Sequence, residues 1–254
     1  MGTDTLTAWN NTQVLVTAMW GGRPSTVTNI ADRLATTLKL LPMVDPMLAG
    51  SWIVAHRDGE RIPTTAAGWV EVVERGVTHD DDDQPEPSSG YSVQLRSRGF
   101  PEAPRVDLRV HAGVERGSLG HVVNRVYVSF EGSTAFDGVD LRSLVPALQN
   151  LVKVLVAAWE PDAAYVVTPD AHGPQFKRPW NGWPVVGAIT WLSDTVADIP
   201  SAVSGTTIER WNDGVFIAIP TFAAPSLSTA QMLAVRDDLV ETGALRRLPA
   251  QQMR

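Results

Sequence analysis

Five histidines are the residues of this sequence best suited to metal binding or proton transfer. They are His56, His79, His111, His121 and His172. No two of them have the i, i+4 spacing that places a pair of imidazoles on one helix face, where such pairs hold a metal ion. The chain also contains no cysteine, which excludes thiolate metal sites, iron–sulfur clusters and a cysteine nucleophile. The sequence therefore predicts no metal-binding and no cofactor-binding residue.

Two pairs of polar residues in predicted loops could support acid–base chemistry. Asp170 and His172 share a segment flanked by glycine and proline, and His79 precedes a run of aspartates. Such pairs are usually parts of turns or helix caps. The sequence has no G-x-S-x-G nucleophile elbow, although its 28 acidic residues leave a carboxylate pair for glycoside hydrolysis open. We predict no catalytic residue and no enzyme, with a small-molecule or glycan hydrolase using loop Asp and His residues as the alternative.

A glycine-rich turn at residues 21–25 lies between a predicted strand and a predicted helix. Backbone N–H groups at a helix N-terminus, together with Arg23, could bind an anion there. The turn lacks both the dinucleotide-binding fingerprint and the Walker pattern with its lysine. An ordinary turn and helix cap is therefore the favoured interpretation.

Residues 80–83 are four consecutive aspartates, and Glu86 follows them. These five acids account for most of the net charge of −7, because the rest of the chain carries only −2. The run lacks the alternating oxygen ligands and central glycine of a calcium loop. It is either a solvated loop tip or an electrostatic contact for a basic partner.

Two of the nine tryptophans, Trp180 and Trp183, lie close together in a short predicted loop. Exposed tryptophan is typical of protein interfaces and sugar-binding platforms, and packing over the edge of the core is the alternative. The predicted partner-binding residues are Asp80, Asp81, Asp82, Asp83, Glu86, Trp180 and Trp183.

Hydrophobic periodicity predicts the elements that must position these residues. Strands are expected at 12–20, 51–56, 91–98, 106–112, 122–131, 163–168, 185–193 and 215–220. Four helices are expected: the first begins at a cap on Ser25 and ends before Pro42, and the others span 66–75, 144–159 and 228–239. Gly243 is expected to end the last helix. The three strands between 91 and 131 alternate apolar and polar residues, which indicates an antiparallel meander with one wet face.

The order of these elements predicts an α+β fold in a single domain, residues 1–254. We expect a largely antiparallel sheet packed against helices, a mobile acidic surface loop at 79–90 and a frayed tail at 244–254. The composition, 44% hydrophobic and 19% charged residues, is typical of a soluble globular protein.

The net negative charge disfavours nucleic-acid binding, which requires clustered lysine and arginine. No apolar run reaches the roughly 18 residues of a membrane helix, and the first residues lack the basic region of a signal peptide. We therefore expect a cytoplasmic protein that binds neither nucleic acid nor membrane. The oligomeric state is left open.

Three stretches together resemble the immunity protein 52 family of bacterial polymorphic-toxin systems. They are Trp-Gly-Gly-Arg-Pro-Ser at 20–25 with the Ala-Asp-Arg-Leu helix at 31–34 and Trp52, then Trp-Glu-Pro-Asp at 159–162, and Gly-Ala-Ile-Thr-Trp-Leu-Ser at 187–193. The acidic run is not part of that pattern. The resemblance implies a non-catalytic protein that binds and neutralises a cognate toxin, often a nuclease of restriction-endonuclease-like fold. An acidic protein suits such a partner, because it can compete for the basic surface that a nuclease presents to nucleic acid.

Overall fold

The computed structural model describes residues 6–8, 14–55, 59–98, 105–115, 124–131, 145–176, 183–219 and 226–246. The strands in this part of the chain are β1 (Leu6–Ala8), β2 (Val14–Trp20), β3 (Ser51–Val54), β4 (Ser89–Arg98), β5 (Arg105–Val114), β6 (Asn124–Glu131), β7 (Ala163–Val167), β8 (Ile189–Ser193), β9 (Thr207–Arg210), β10 (Gly214–Ala218) and β11 (Ser226–Ser228). The helices are α1 (Val27–Val44), a 3-10 helix (Pro46–Ala49), α2 (Ala66–Glu74), α3 (Val145–Trp159), α4 (Pro169–Phe176) and α5 (Thr229–Glu241).

Nine of the described strands form one continuous sheet. Their order is β3-β4-β5-β6-β2-β7-β8-β10-β9, and each neighbouring pair is antiparallel. β1 and β11 form a separate antiparallel pair. The predicted α+β class, with one domain built on an antiparallel sheet, is confirmed. The three strands predicted as a meander are neighbours in the sheet as β4, β5 and β6.

Helices α1, α2 and α3 cover one face of the sheet. The side chain of Trp20 on β2 points to this face, where its ring stacks on that of Trp159 in α3 with centroids 5.6 Å apart. Successive residues of a strand point to opposite faces, so the register places Val128 of β6 and Val166 of β7 on the same face. All four side chains are buried, and this layer is the main core of the protein.

The opposite face of the sheet is covered only in part. Over β7, His172 of α4 contacts the hydroxyl of Tyr165, and α5 contacts α4. Over β4, β5 and β6, the residues pointing to this face are mostly polar, and Ser92, Arg109 and Arg125 are exposed. The wet face predicted from alternation is therefore present at the expected strands.

Helix α1 differs from its prediction at both ends. Thr26 rather than Ser25 caps it, with Thr26 Oγ1 accepting a hydrogen bond from Asn29 N at 3.2 Å. The helix passes through Pro42, which was expected to end it, and stops at Val44. Proline removes one hydrogen bond from a helix, but Leu41 before it is buried and Val44 after it is half-buried against the core. Packing therefore extends the helix beyond the point that local propensity predicts.

The helices are amphipathic rather than uniformly apolar. The longest in the described ranges, α1 with 18 residues, leaves Asp32 and Lys39 exposed. Within those ranges, no helix combines the length and the apolar character needed to cross a membrane.

Five elements are absent from the sequence prediction: the short strands β1, β9 and β11, the 3-10 helix and α4. Helix α4 occupies a segment predicted to be a loop because of its glycine and proline, so Asp170 and His172 lie on a helix. Strand β9 is short and mostly exposed at the edge of the sheet. Its sequence does not alternate between buried apolar and exposed polar residues, so a strand could not be predicted from it.

The C-terminal helix ends near Gly243, as predicted, and that glycine has a φ of +75°. The prediction of a frayed tail from residue 244 is wrong at its first three residues, the last of which, Arg246, donates its amide to the Val196 carbonyl oxygen at 2.8 Å. Ala244 and Leu245 are buried, and Leu245 forms an antiparallel bridge with Ala197. Their apolar side chains gain more from burial than the ordered backbone loses. The remaining tail residues, 247–254, lie outside the described residues.

Candidate functional site

Two of the three stretches that carry the family resemblance meet in the structure. After Trp20, the Gly21 amide donates a hydrogen bond to Asp162 Oδ2 at 2.8 Å. Arg23 Nη2 donates to the Glu160 carbonyl oxygen, also at 2.8 Å. The chain's own carboxylate and carbonyl groups thus occupy donors that the sequence left available for an anion. The turn at 21–25 is a structural junction with the loop after α3.

The third stretch, at 187–193, packs against β7. The Ala188 amide donates to the Val166 carbonyl oxygen at 2.8 Å. A Cβ atom on Gly187 would lie 2.0 Å from that same oxygen, far inside van der Waals contact. Glycine is required here because the two backbones touch. The hydrogen bond at Gly21 and the close approach at Gly187 are therefore packing contacts of β2 and β7, whereas Arg23 and Glu160 are exposed.

The acidic run forms a hydrogen-bonded hairpin over residues 78–90, called the acidic hairpin below. The Glu86 amide donates to the Thr78 carbonyl oxygen at 2.7 Å, and the Asp80 amide donates to that of Gln84 at 2.9 Å. Asp80 Oδ1 accepts from the amides of Asp82 and Gln84, at 3.0 and 2.8 Å. The hairpin has a defined course that its composition did not predict; its mobility in solution stays a prediction.

The acidic side chains at the tip of this hairpin divide into two groups. Asp80 is used to close the turn, whereas Asp81, Asp82 and Asp83 extend into solvent. Glu86 is also exposed and accepts a hydrogen bond from the Ser89 hydroxyl. The predicted acidic contact residues are thus brought together on one turn, although Asp80 has a structural task as well.

The tryptophan prediction has a different outcome. Trp183 is half-buried and packs against the core, which agrees with the core-edge alternative. Trp180 lies outside the described residues. A role of either tryptophan in partner binding stays a prediction.

The histidines do not converge on one centre. His79 is exposed on the acidic hairpin. His111 Nδ1 on β5 lies 2.8 Å from Ser92 Oγ on β4. His172 Nε2 on α4 lies 3.3 Å from the Tyr165 hydroxyl. In the ranges that the structure describes, no group of three or more His, Asp or Glu residues could hold a metal ion; His56 and His121 lie outside them.

A cluster of polar side chains lies on the uncovered part of the sheet, called the open face below. Its members come from alternate positions of three adjacent strands: Ser92, Gln94 and Arg96 on β4, Asp107, Arg109 and His111 on β5, and Arg125, Tyr127 and Ser129 on β6. Between β4, β5 and β6 the surface forms a shallow depression of about 210 Å³. Hydrogen-bond donors dominate its lining, so the open face is suited to binding a negatively charged group.

The carboxylate among the open-face residues named above is already engaged. Asp107 is 1% exposed, and its Oδ1 accepts from Arg96 Nε at 2.8 Å. Arg109 Nη2 lies 3.9 Å from Asp107 Oδ2, and the Arg109 guanidinium lies over the Tyr127 ring at 5.4 Å from its centroid. Arg96 and Arg109 are thus held in place by neighbouring side chains on the sheet.

The positive charge of Arg125 affects the pKa values of groups on both sides of it. Burial lowers the pKa of His111, and the nearby positive charge of Arg125 lowers it further. The same two causes, in the same order, lower the pKa of His172. Burial raises the pKa of Tyr165 above its usual range. At neutral pH the imidazoles of His111 and His172 are therefore neutral.

Lowering the pH is expected to destabilise the protein, in part through His111, which faces Ser92 on β4 and Arg125 on β6. Its folded-state pKa is below the unfolded value of 6.5, so below that pH the unfolded chain binds more protons than the folded one, and the free energy of unfolding falls. The melting temperature should drop between about pH 7.5 and about pH 5.5. His111→Gln should make the drop smaller; an unchanged drop would contradict this assignment.

Sequence reasoning did not find the open face as a charged site. Alternation in the three strands indicated that one face is wet, but the positions of Arg96, Arg109 and Arg125 relative to one another depend on the register between strands. The register follows from turns and packing, which the alternation alone does not encode. The signal that could have found the site is the recurrence of arginine at wet positions in all three strands.

No family model matches the sequence, and no curated protein matches it significantly, so membership of the immunity protein 52 family stays a prediction. Six solved chains resemble the structure. One of them is the Pseudomonas aeruginosa T6SS protein PA0821, which is 11% identical, with a TM-score of 0.48, over 93% of this chain and 78% of that chain. A likeness at this level does not extend to function.

Proposed function

We propose that this protein is a non-catalytic, cytoplasmic immunity protein that binds and neutralises a cognate polymorphic toxin, with a nuclease as the expected toxin class. The observation that carries the proposal is the acidic hairpin. Asp81, Asp82, Asp83 and Glu86 are exposed on a turn whose backbone is closed by its own hydrogen bonds. A cluster of charges on such a turn is a ready contact for a basic surface.

Two properties of the hairpin favour binding: its closely spaced charges and its own hydrogen bonds. Closely spaced like charges attract a basic partner over a distance and increase the association rate. A turn ordered by its own hydrogen bonds loses less conformational entropy on binding than a disordered segment would. Both effects act before any specific apolar contact forms.

Two depressions on the described surface are small for the substrate site that the hydrolase alternative requires. The one on the open face measures about 210 Å³, and one beside α2 measures about 280 Å³. Sites for small molecules are usually concave and have volumes of roughly 300–1,000 Å³. Each of the two depressions can hold one small group such as an ion, but neither is large enough to enclose a drug-sized substrate.

The hydrolase alternative has one observation in its favour, the 2.8 Å contact between Ser92 Oγ and His111 Nδ1. A serine nucleophile requires its histidine to become an imidazolium, which a carboxylate normally stabilises. Here the cross-strand neighbour of His111 is Arg125, and its charge opposes that protonation. The pair is therefore better explained as a polar contact of the sheet.

The proposal is tested by co-expressing the protein with the toxin encoded beside its gene and measuring survival. We expect rescue of the cells and a stoichiometric complex after purification. Survival without a complex, or a complex without rescue, would contradict the proposal. Turnover of a glycan or another small substrate by the purified protein, with no rescue, would favour the hydrolase.

Removing the charge of the acidic hairpin should slow association without unfolding the protein. The variant Asp81→Asn, Asp82→Asn, Asp83→Asn keeps the side-chain shapes, and Asn tolerates the positive φ of 59° at residue 83. We expect the association rate constant at low salt to fall by about tenfold or more, while the melting temperature changes little because these acids are exposed.

A matched control removes the same charge elsewhere. Asp32→Asn, Asp198→Asn, Glu241→Gln neutralises three exposed acids outside the hairpin. Its association rate constant should fall much less, and added salt should reduce the difference between the two variants because it screens exposed charges. Equal losses in both variants would show that net charge, and not the hairpin, governs the encounter.

A further inference from the structure

The open face is positively charged in a protein whose net charge is −7. Its described members include three arginines and one carboxylate, that of Asp107. Asp107 lies within 2.8 Å of Arg96 and 3.9 Å of Arg109. The excess positive charge therefore concentrates on the side of the face where Arg125 lies.

Arg125 has no ion pair among the described residues and is exposed. Its direct cross-strand neighbours are His111 on β5 and Met19 on β2, neither of which is a carboxylate. A guanidinium presents up to five donors in a planar fork that fits two oxygens of one anion. No carboxylate among the described residues forms an ion pair with the Arg125 guanidinium, so its paired donors can bind an anion.

The groups around Arg125 are suited to complete an anion site. Ser92, His111 and Arg125 stand in one row across three strands, and Arg109 and Tyr127 stand in the next row. All five line the same depression. The guanidinium groups and the Tyr127 hydroxyl can each donate a hydrogen bond to an oxygen, and the neutral pair of His111 and Ser92 can donate one more, because one of its two protons is used within the pair. The donors belong to central strands of a sheet, so their spacing is fixed by the backbone.

We propose that this depression binds a doubly charged tetrahedral oxyanion, a phosphate group in the first place, with Arg125 as the principal ligand and His111, Ser92, Arg109 and Tyr127 around it. A phosphate oxygen pair accepts bidentate hydrogen bonds from arginine. The remaining oxygens face the second row of donors. The depression is large enough for one phosphate group and too shallow to enclose a large ligand.

This site is separate from the proposed toxin contact. The acidic hairpin is suited to a basic surface, whereas the open face is suited to an anion, so one ligand does not satisfy both. Loss of anion binding would leave the proposed immunity function untouched, and failure of toxin rescue would leave the anion site untouched.

Isothermal titration calorimetry with inorganic sulfate tests the site, because sulfate keeps its double charge across the pH range in which histidine titrates. We expect saturable binding of one sulfate per chain. Arg125→Gln should weaken it by about tenfold or more, and Arg125→Lys, which keeps the charge but not the fork, should give an intermediate loss. Arg246→Gln, which removes an exposed arginine beyond α5, should change the affinity by less than about twofold.

Three results would overturn the proposal. They are no saturable binding by the wild type, binding unchanged in Arg125→Gln, and equal losses in Arg125→Gln and Arg246→Gln. The melting temperature of each variant, measured without sulfate, establishes that it is folded.

A second titration with a small phosphate monoester distinguishes the source of the group. Tighter binding than that of sulfate assigns the site to a phosphorylated small ligand, and equal binding assigns it to the free oxyanion.

Discussion

Gly187→Ala is expected to destabilise the protein by roughly 3 kcal/mol or more. The new Cβ atom would lie 2.0 Å from the Val166 carbonyl oxygen and 2.8 Å from the carbon of that carbonyl. The clash is with backbone, so no side-chain rotation relieves it. Val166 lies on β7, which is paired on both sides with β2 and β8. To make room, the centre of the sheet would have to move.

Thermal unfolding measures this effect. A domain of this size loses roughly 2–4 °C of melting temperature per kcal/mol, so a drop of about 6 °C or more is expected. Gly173→Ala is the matched control, because a Cβ there meets no atom within 4 Å and the position lies in α4. That change should be roughly neutral, because the helix propensity that alanine adds is offset by the crowding of its Cβ before Pro174. Equal melting temperatures for the two variants would contradict the close approach at Gly187.

Trp159→Ala should destabilise the protein by about 3–5 kcal/mol. Trp159 is 1% exposed, stacks on Trp20, and donates a hydrogen bond from Nε1 to Thr37 Oγ1 at 3.0 Å. The substitution leaves a cavity between α1, α3 and β2, and it leaves the buried Thr37 hydroxyl without that donor. Loss of packing and loss of the hydrogen bond therefore act in the same direction.

Chemical denaturation of two further variants separates these contributions. Trp159→Phe keeps an aromatic ring but removes the donor, so its loss should be clearly smaller than that of Trp159→Ala. Trp211→Ala truncates a half-buried tryptophan that packs on Phe216 and should also cost less. If Trp211→Ala proved as damaging as Trp159→Ala, the junction between α3 and β2 would not be the centre of the core.

The parts of the fold that could be predicted are those in which sequence period and packing agree. The meander β4–β6 follows from alternation, and α3 follows from its apolar stripe. The end of α5 follows from Gly243, because glycine adopts the positive φ found there without strain. In each case a local rule and the tertiary structure require the same residues.

The parts that could not be predicted depend on contacts between distant segments. The role of Asp162 becomes evident only when its carboxylate meets the Gly21 amide, 141 residues away in the sequence. The site around Arg125 likewise depends on which residue of β5 lies opposite it. For the acidic hairpin, composition indicated a lack of core contacts, but not that Asp80 would close the turn with its own side chain.

The place of β2 in the sheet has a consequence for how the chain folds. β2 is near the start of the sequence, yet its partners are β6 and β7, which begin at Asn124 and Ala163. A nascent chain therefore exposes both edges of this apolar strand until more than 100 residues have followed it. Pairings of such long sequence separation form slowly, because the loop must close before its contacts contribute. The meander β4–β6 can form early on its own residues, whereas the sheet becomes continuous only when β7 joins β2 to β8.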